Sequence, residues 1–112
     1  LPRVVGLRRA LELALTNRVL SADEARDWGL VTSVVPDAEL ADAAEALATT
    51  LAAGAARALG SAKQLMRASL ATTLEAQLAH EATRMVLAGG SADGREGVAA
   101  FVEKRPPDFN RP

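Results

Sequence analysis

Apolar residues recur along most of this chain at the three-and-four spacing of a helix, and in one place they cluster as a strand would. Leu7, Leu11, Ala14 and Leu15 share one face while Arg8, Arg9 and Glu12 fall elsewhere, which predicts an amphipathic helix ending near Thr16-Asn17. Asn17 suits that stop because asparagine tolerates the left-handed backbone a helix end often needs. Pro2 fits a first helical turn just before it. Ser21 followed three residues later by Glu24 predicts a capping box, a short helix through Trp28, and closure at Gly29. Leu30-Val-Thr-Ser-Val-Val35, rich in β-branched side chains and halted by Pro36, predicts a strand.

From Asp37 onward the pattern is helical throughout. Asp37 is expected to cap a helix with Leu40, Ala44, Leu47 and Leu51 on one stripe up to Gly54, and a second stripe follows in Leu59, Ala62, Met66 and Leu70. Thr72 with Glu75 reads as another capping box, before a helix carrying Leu74, Leu78, Ala82 and Met85 and closed by Gly89-Gly90. Asp93 with Glu96 reads as a third, opening a last helix whose Val98, Phe101 and Val102 are expected to face inward until Pro106-Pro107 stops it. The stripes are narrow and lined with alanine, which permits close helix approach within the chain or against another subunit. A lone strand cannot satisfy its own backbone groups. With a start at Leu1, this gives the expectation that the 112 residues are the carboxy-terminal portion of something longer.

Composition narrows the field of function. At 49% hydrophobic residues the chain is suited to burying apolar surface, and 13 basic against 14 acidic side chains offer no cationic field for nucleic acid or a membrane surface. The absence of cysteine removes thiol chemistry and disulfides and allows a cytoplasmic location. No apolar run approaches the roughly 20 residues a bilayer span needs. Chemistry-bearing patterns are scarce. His80 has no second histidine or cysteine to complete a metal site, so no metal is expected. Gly89-Gly-Ser-Ala-Asp-Gly94 lacks the preceding strand and following lysine of a phosphate loop and reads as a helix connector. Ser61, Ser69 and Ser91 lack a nucleophile's partners, and the carboxylates Asp23, Glu24, Asp37, Glu39, Asp42 and Glu45 cluster at helix starts, where the helix dipole accounts for them. What stands out is Phe101 and Lys104, three apart on one helix face: a ring that can lie against a purine beside an ammonium that can meet a phosphate.

Four segments, in order, carry a resemblance: Leu1-Pro-Arg-Val-Val-Gly6; Ala10-Leu-Glu-Leu-Ala-Leu-Thr16; Ser21-Ala-Asp-Glu-Ala-Arg-Asp-Trp-Gly-Leu-Val31 with Val34-Val-Pro36; and Arg95-Glu-Gly-Val-Ala-Ala-Phe-Val-Glu-Lys-Arg-Pro106. Together they resemble the carboxy-terminal half of the crotonase family, the enoyl-CoA hydratases and isomerases. Thr16-Asn17-Arg18 departs from the family's frequent Thr-Gly-Arg and Gly54-Ala55 from its frequent Gly-Pro, both without touching a ligand. Thr73-Leu-Glu-Ala-Gln-Leu78 also resembles the ring-opening isomerases of phenylacetate breakdown.

The resemblance implies a mainly α chain: the end of an α/β fold of ββα repeats over residues 1–36, with one strand, followed by a helical oligomerisation domain over 37–112. It implies an acyl-CoA substrate whose thioester enolate is held by two backbone N–H groups, coenzyme A present only as part of that substrate, and no tightly bound cofactor. It implies a homo-oligomer, trimer or hexamer. The catalytic carboxylates and oxyanion donors are expected before Leu1, leaving Phe101 and Lys104 as the residues that meet the adenine and phosphate end of coenzyme A. A free-standing helical interaction module is the competing expectation.

Overall fold

The computed structural model describes residues 1–109. Two compact units divide the chain, one of residues 1–43 and one of residues 44–112.

In the first unit, α1 (Pro2–Val5) carries its proline in the first turn, where a missing N–H costs nothing. α2 (Leu7–Thr16) ends at Asn17, whose φ of 51° lets its N–H donate to the Leu13 carbonyl at 3.0 Å. Ser21 then opens α3 (Ala22–Asp27) with the reciprocal box predicted for it: the Ser21 hydroxyl accepts from the Glu24 N–H and the Glu24 carboxylate accepts from the Ser21 N–H, both at 3.2 Å. Gly29, at φ 73°, closes α3 with two crossed bonds, Gly29 N–H to Arg26 carbonyl and Leu30 N–H to Ala25 carbonyl. This is a Schellman turn, with glycine at the left-handed position that a Cβ disfavours.

The strand expected over residues 30–35 does not form. Leu30 and Val31 turn their N–H groups back onto the Ala25 carbonyl at 2.8 and 3.3 Å, winding around the end of α3. β-propensity reports fit to a pleated surface, and the described residues contain no second extended segment to supply one.

The second region is reached through a 3-10 turn at Asp37–Glu39, so Asp37 makes no side-chain cap, and α4 (Leu40–Ala52) follows. α5 (Ala56–Ala68), α6 (Leu74–Gly89) and α7 (Ala92–Glu103) pack in succession, α5 on α6 and α6 on α7. Two predicted caps move. α6 is capped by Thr73, whose hydroxyl accepts from Ala76 N–H, while Thr72 donates to the Ala68 carbonyl; α7 is capped by Ser91, accepting from Gly94 N–H at 3.0 Å. The one-residue shift at α6 and two-residue shift at α7 release Glu75 and Glu96 from boxes, because a box needs its acid at the third helical position. α7 starts so close to α6 that a Cβ on Gly94 would lie 2.1 Å from the Ala88 carbonyl oxygen, which only glycine avoids.

Among the described residues little is buried. Val5, Ala10 and Ala25 are the buried apolar side chains of the first unit and Ala100 that of the second, where Gln77 is buried too, donating to the Leu65 carbonyl and to Glu81. Leu40, Leu47, Leu51, Met66, Leu70, Leu74, Leu78 and Met85 are exposed, and so are Val98, Phe101 and Val102, which the pattern placed inward. Their spacing is helical as predicted, but the packing of α5 on α6 and of α6 on α7 leaves the faces that carry these residues uncovered.

Candidate functional site

Phe101 and Lys104 stand at the end of α7. Phe101 is 84% exposed, so its ring is not a core element. Lys104 closes the helix in the left-handed region, at φ 53° and ψ 41°, with its N–H donating to the Phe101 carbonyl at 3.3 Å. The next N–H, that of Arg105, donates to the Ala100 carbonyl at 3.0 Å. Helix termination therefore occurs at Lys104, ahead of Pro106-Pro107, and through backbone geometry instead of proline's missing donor.

Beyond Lys104 the chain folds back over α7. Arg105 grips Glu96 with two parallel hydrogen bonds, the second at 3.1 Å, and also reaches Glu103 at 2.6 Å. The Asp108 N–H donates to the same Glu96 carboxylate at 2.9 Å, and the Phe109 ring lies beside Gly97, where a Cβ would meet it at 3.9 Å. Glu96 is the less exposed member of the pair, its side chain 13% accessible against 33% for Arg105. Hydrogen bonding to Glu96 first, and then to Glu103, holds the Arg105 guanidinium well above its ordinary range. Among the described residues Lys104 makes no ion pair of its own.

A separate cleft of about 520 Å³ opens between α5, α6 and the start of α7, lined in part by Arg57, Ser61, Gln64, Arg84, Leu87 and Phe109. Neither Phe101 nor Lys104 borders it. Arg57, Arg84 and Phe109 were not singled out in the sequence, and no local signal marks them, because they meet only through the packing of α5 on α6 and the return of the tail. His80 borders a shallower cleft beside Gln64 and Leu65. Among the described residues no group of three His, Cys, Asp or Glu side chains could hold a metal, and no helix is long and apolar enough to cross a membrane.

Polar groups of the first unit close on themselves. Arg18 donates to Glu12 and Glu24, both at 3.0 Å, and its guanidinium lies 5.2 Å from the Trp28 ring centre, with Arg9 at 4.8 Å from the same ring. The Ser21 N–H, and after it Arg18, holds the Glu24 carboxyl below its usual range, and Glu24 in turn raises Arg18. This knot ties α2 to α3.

The chain belongs to the enoyl-CoA hydratase/isomerase family, whose model matches residues 1–112. It is 48% identical over 109 residues to the 1,2-epoxyphenylacetyl-CoA isomerase of Escherichia coli, a match covering 97% of this chain and 42% of that protein. It is 38% identical over 104 residues to a 4-chlorobenzoyl coenzyme A dehalogenase of an Arthrobacter species, covering 93% of this chain and 38% of that one. The crystal structure of an enoyl-CoA hydratase from Geobacillus kaustophilus superimposes with a TM-score of 0.91 at 31% identity, over 97% of this chain and 41% of that one. The fold is thus the helical part of a crotonase-type structure, and the chain spans about 42% of the length of the E. coli relative.

Proposed function

We propose that this chain forms the coenzyme A-gripping, carboxy-terminal part of an enzyme that hydrates or isomerises acyl-CoA thioesters. The observation that carries the reading is the pairing of an exposed Phe101 with an ion-pair-free Lys104 one turn on, at the end of one helix of a family that includes CoA-thioester enzymes. The Phe101 ring lies against the adenine, a large apolar contact, and the Lys104 ammonium meets a phosphate as a compact charge. Catalysis on a thioester needs donors aimed at the enolate oxygen and a group to carry the proton. The carboxylates gathered here, Glu12 with Glu24 and Glu96 with Glu103, are bound by Arg18 and Arg105, and the reading places both functions outside these 112 residues. Contacts to coenzyme A alone bind substrate and transition state equally, so these residues by themselves give no turnover. The exposed stripes on α4 to α7 are read as faces for the remaining polypeptide and for a homotrimer or hexamer, in the cytoplasm.

Steady-state assays of the natural protein with crotonyl-CoA and with 1,2-epoxyphenylacetyl-CoA separate hydration from ring isomerisation. Turnover of at least one, weakened by Lys104→Ala through a higher KM, is expected. A protein that binds neither thioester nor free coenzyme A refutes the reading. Residues 1–112 on their own are expected to be inactive, and unaided crotonyl-CoA hydration by them would overturn the placement of the catalytic groups.

A further inference from the structure

Two helices of this chain end in the same pair of crossed backbone bonds, and they differ in the residue at the left-handed position. After α3 that residue is Gly29, the choice that costs least; after α7 it is Lys104, at φ 53°. A lysine there carries a steric penalty that glycine would remove, so something must hold the turn and something must favour lysine. The holding is visible. Arg105, the residue whose N–H completes the turn on the Ala100 carbonyl, has its side chain drawn back across α7 onto Glu96, and Glu96 is fixed in turn by the Asp108 N–H. The three charged neighbours Glu103, Lys104 and Arg105 are then sorted. Arg105 engages Glu103 at 2.6 Å as well as Glu96, so both carboxylates are held by the arginine and neither pairs with Lys104 among the described residues.

We propose that Arg105 and Glu96 are positioning residues for phosphate recognition by Lys104: the latch fixes the left-handed turn from which the lysine stem departs, and Arg105 neutralises the two carboxylates that would otherwise capture the ammonium or repel a phosphate. This rests on the reading of Lys104 as a coenzyme A contact. The ligand moiety is a phosphate monoester dianion, the group that distinguishes coenzyme A from 3′-dephospho-CoA. Backbone torsions at residue 104 set the direction of its Cα–Cβ bond, so loosening the turn spreads the ammonium over more positions and dilutes its field at any one of them. Removing Arg105 adds a second loss, since Glu103, next to Lys104 in the chain, is then left without its arginine.

Titration calorimetry on the natural protein with coenzyme A and 3′-dephospho-CoA tests this through the ratio of the two affinities. Arg105→Gln is expected to lower that ratio about 2- to 5-fold, the size of one exposed charge interaction, and adding Glu103→Gln to it should restore part of the loss. A purely structural role for Arg105 would weaken both ligands alike, with no rescue by Glu103→Gln, and that result overturns the proposal. If Arg105→Gln fails to fold, Glu103→Gln alone decides: removing a neutralised carboxylate leaves Arg105 with charge to spare and should raise the ratio, and an unchanged ratio overturns the proposal. Lys104→Gly separates this idea from the reading beneath it, because it relieves the strained turn while deleting the ammonium. It should melt at higher temperature and lose the preference for the phosphate. Should Lys104→Gly keep the preference, the coenzyme A reading of Lys104 falls; should it lose the preference while Arg105→Gln keeps it, only the positioning role falls.

Discussion

The ends of α3 and α7 are built on one plan and differ in how their side chains are engaged. In each, a buried alanine, Ala25 or Ala100, offers its carbonyl to the residue beyond the turn, and in each a left-handed residue reverses the chain. At α3 the turn is glycine, and the cations nearby, Arg9 and Arg18, are occupied by Trp28, Glu12 and Glu24. At α7 the turn is lysine, its aromatic neighbour is exposed, and one cation of two is engaged while the other has no ion pair. The first end is closed in upon itself; the second leaves chemistry available to something else. Lys104 departs from the local preference for glycine at such a turn, which is why the proposed coenzyme A contact is sought there.

Enlarging the buried alanines gives the strongest test of the shared plan. Ala100→Leu forces a side chain into a position 1% exposed and should cost about 1–3 kcal/mol in chemical denaturation, more than Ala25→Leu at 9% exposure. Equal, negligible costs would show that the two turns are not held by packing. Exchanging the turn residues comes next. Gly29→Ala should destabilise by about 1 kcal/mol, and Lys104→Gly should stabilise by about 0.5–1 kcal/mol, in thermal or denaturant melts. Opposite signs are what the comparison requires.

The acid side of the pH-stability curve probes the closed end. The Ser21 N–H and Arg18 hold the folded Glu24 carboxyl below the range of a free glutamate, so the unfolded chain takes up the proton first. Its contribution is present above the unfolded pKa and is lost as pH falls through the lower, folded pKa. The melting temperature of the natural protein should therefore fall towards that of Glu24→Gln as the buffer is taken from about pH 6 to about pH 3. A gap that widens on acidification would contradict the Ser21–Glu24–Arg18 arrangement. The smallest expected effect is at the open end: Phe101→Ala, at an exposed position, should change stability by less than about 0.5 kcal/mol while weakening coenzyme A binding. A large loss of stability would mean the ring packs after all.

Local chemistry explains which features were legible in advance. The Ser21–Glu24 box, the Asn17 stop and the Gly29 closure depend on residues within a few positions of each other, and each is found as the pattern predicts. The displaced caps at Thr73 and Ser91 show the limit, since neighbouring Thr72 or Asp93 competes for the same role and tertiary packing selects. Residues 30–35 fail as a strand for a non-local reason: pairing needs a partner segment. The inward placing of Phe101 fails in the same way, because periodicity names a face without saying what covers it. Phe101 and Lys104 were visible as neighbours on one helix; the latch of Arg105 on Glu96, nine residues apart, required the tail's reversal to be seen.

α4 has no buried residue, and its leucines at 40, 47 and 51 face outward. Its amide hydrogens, lacking a packed neighbour to slow local opening, should exchange with deuterium far faster than those of α7 around Ala100. If the proposed assembly uses those leucines, the time course of that exchange would slow there, residue by residue, as it forms.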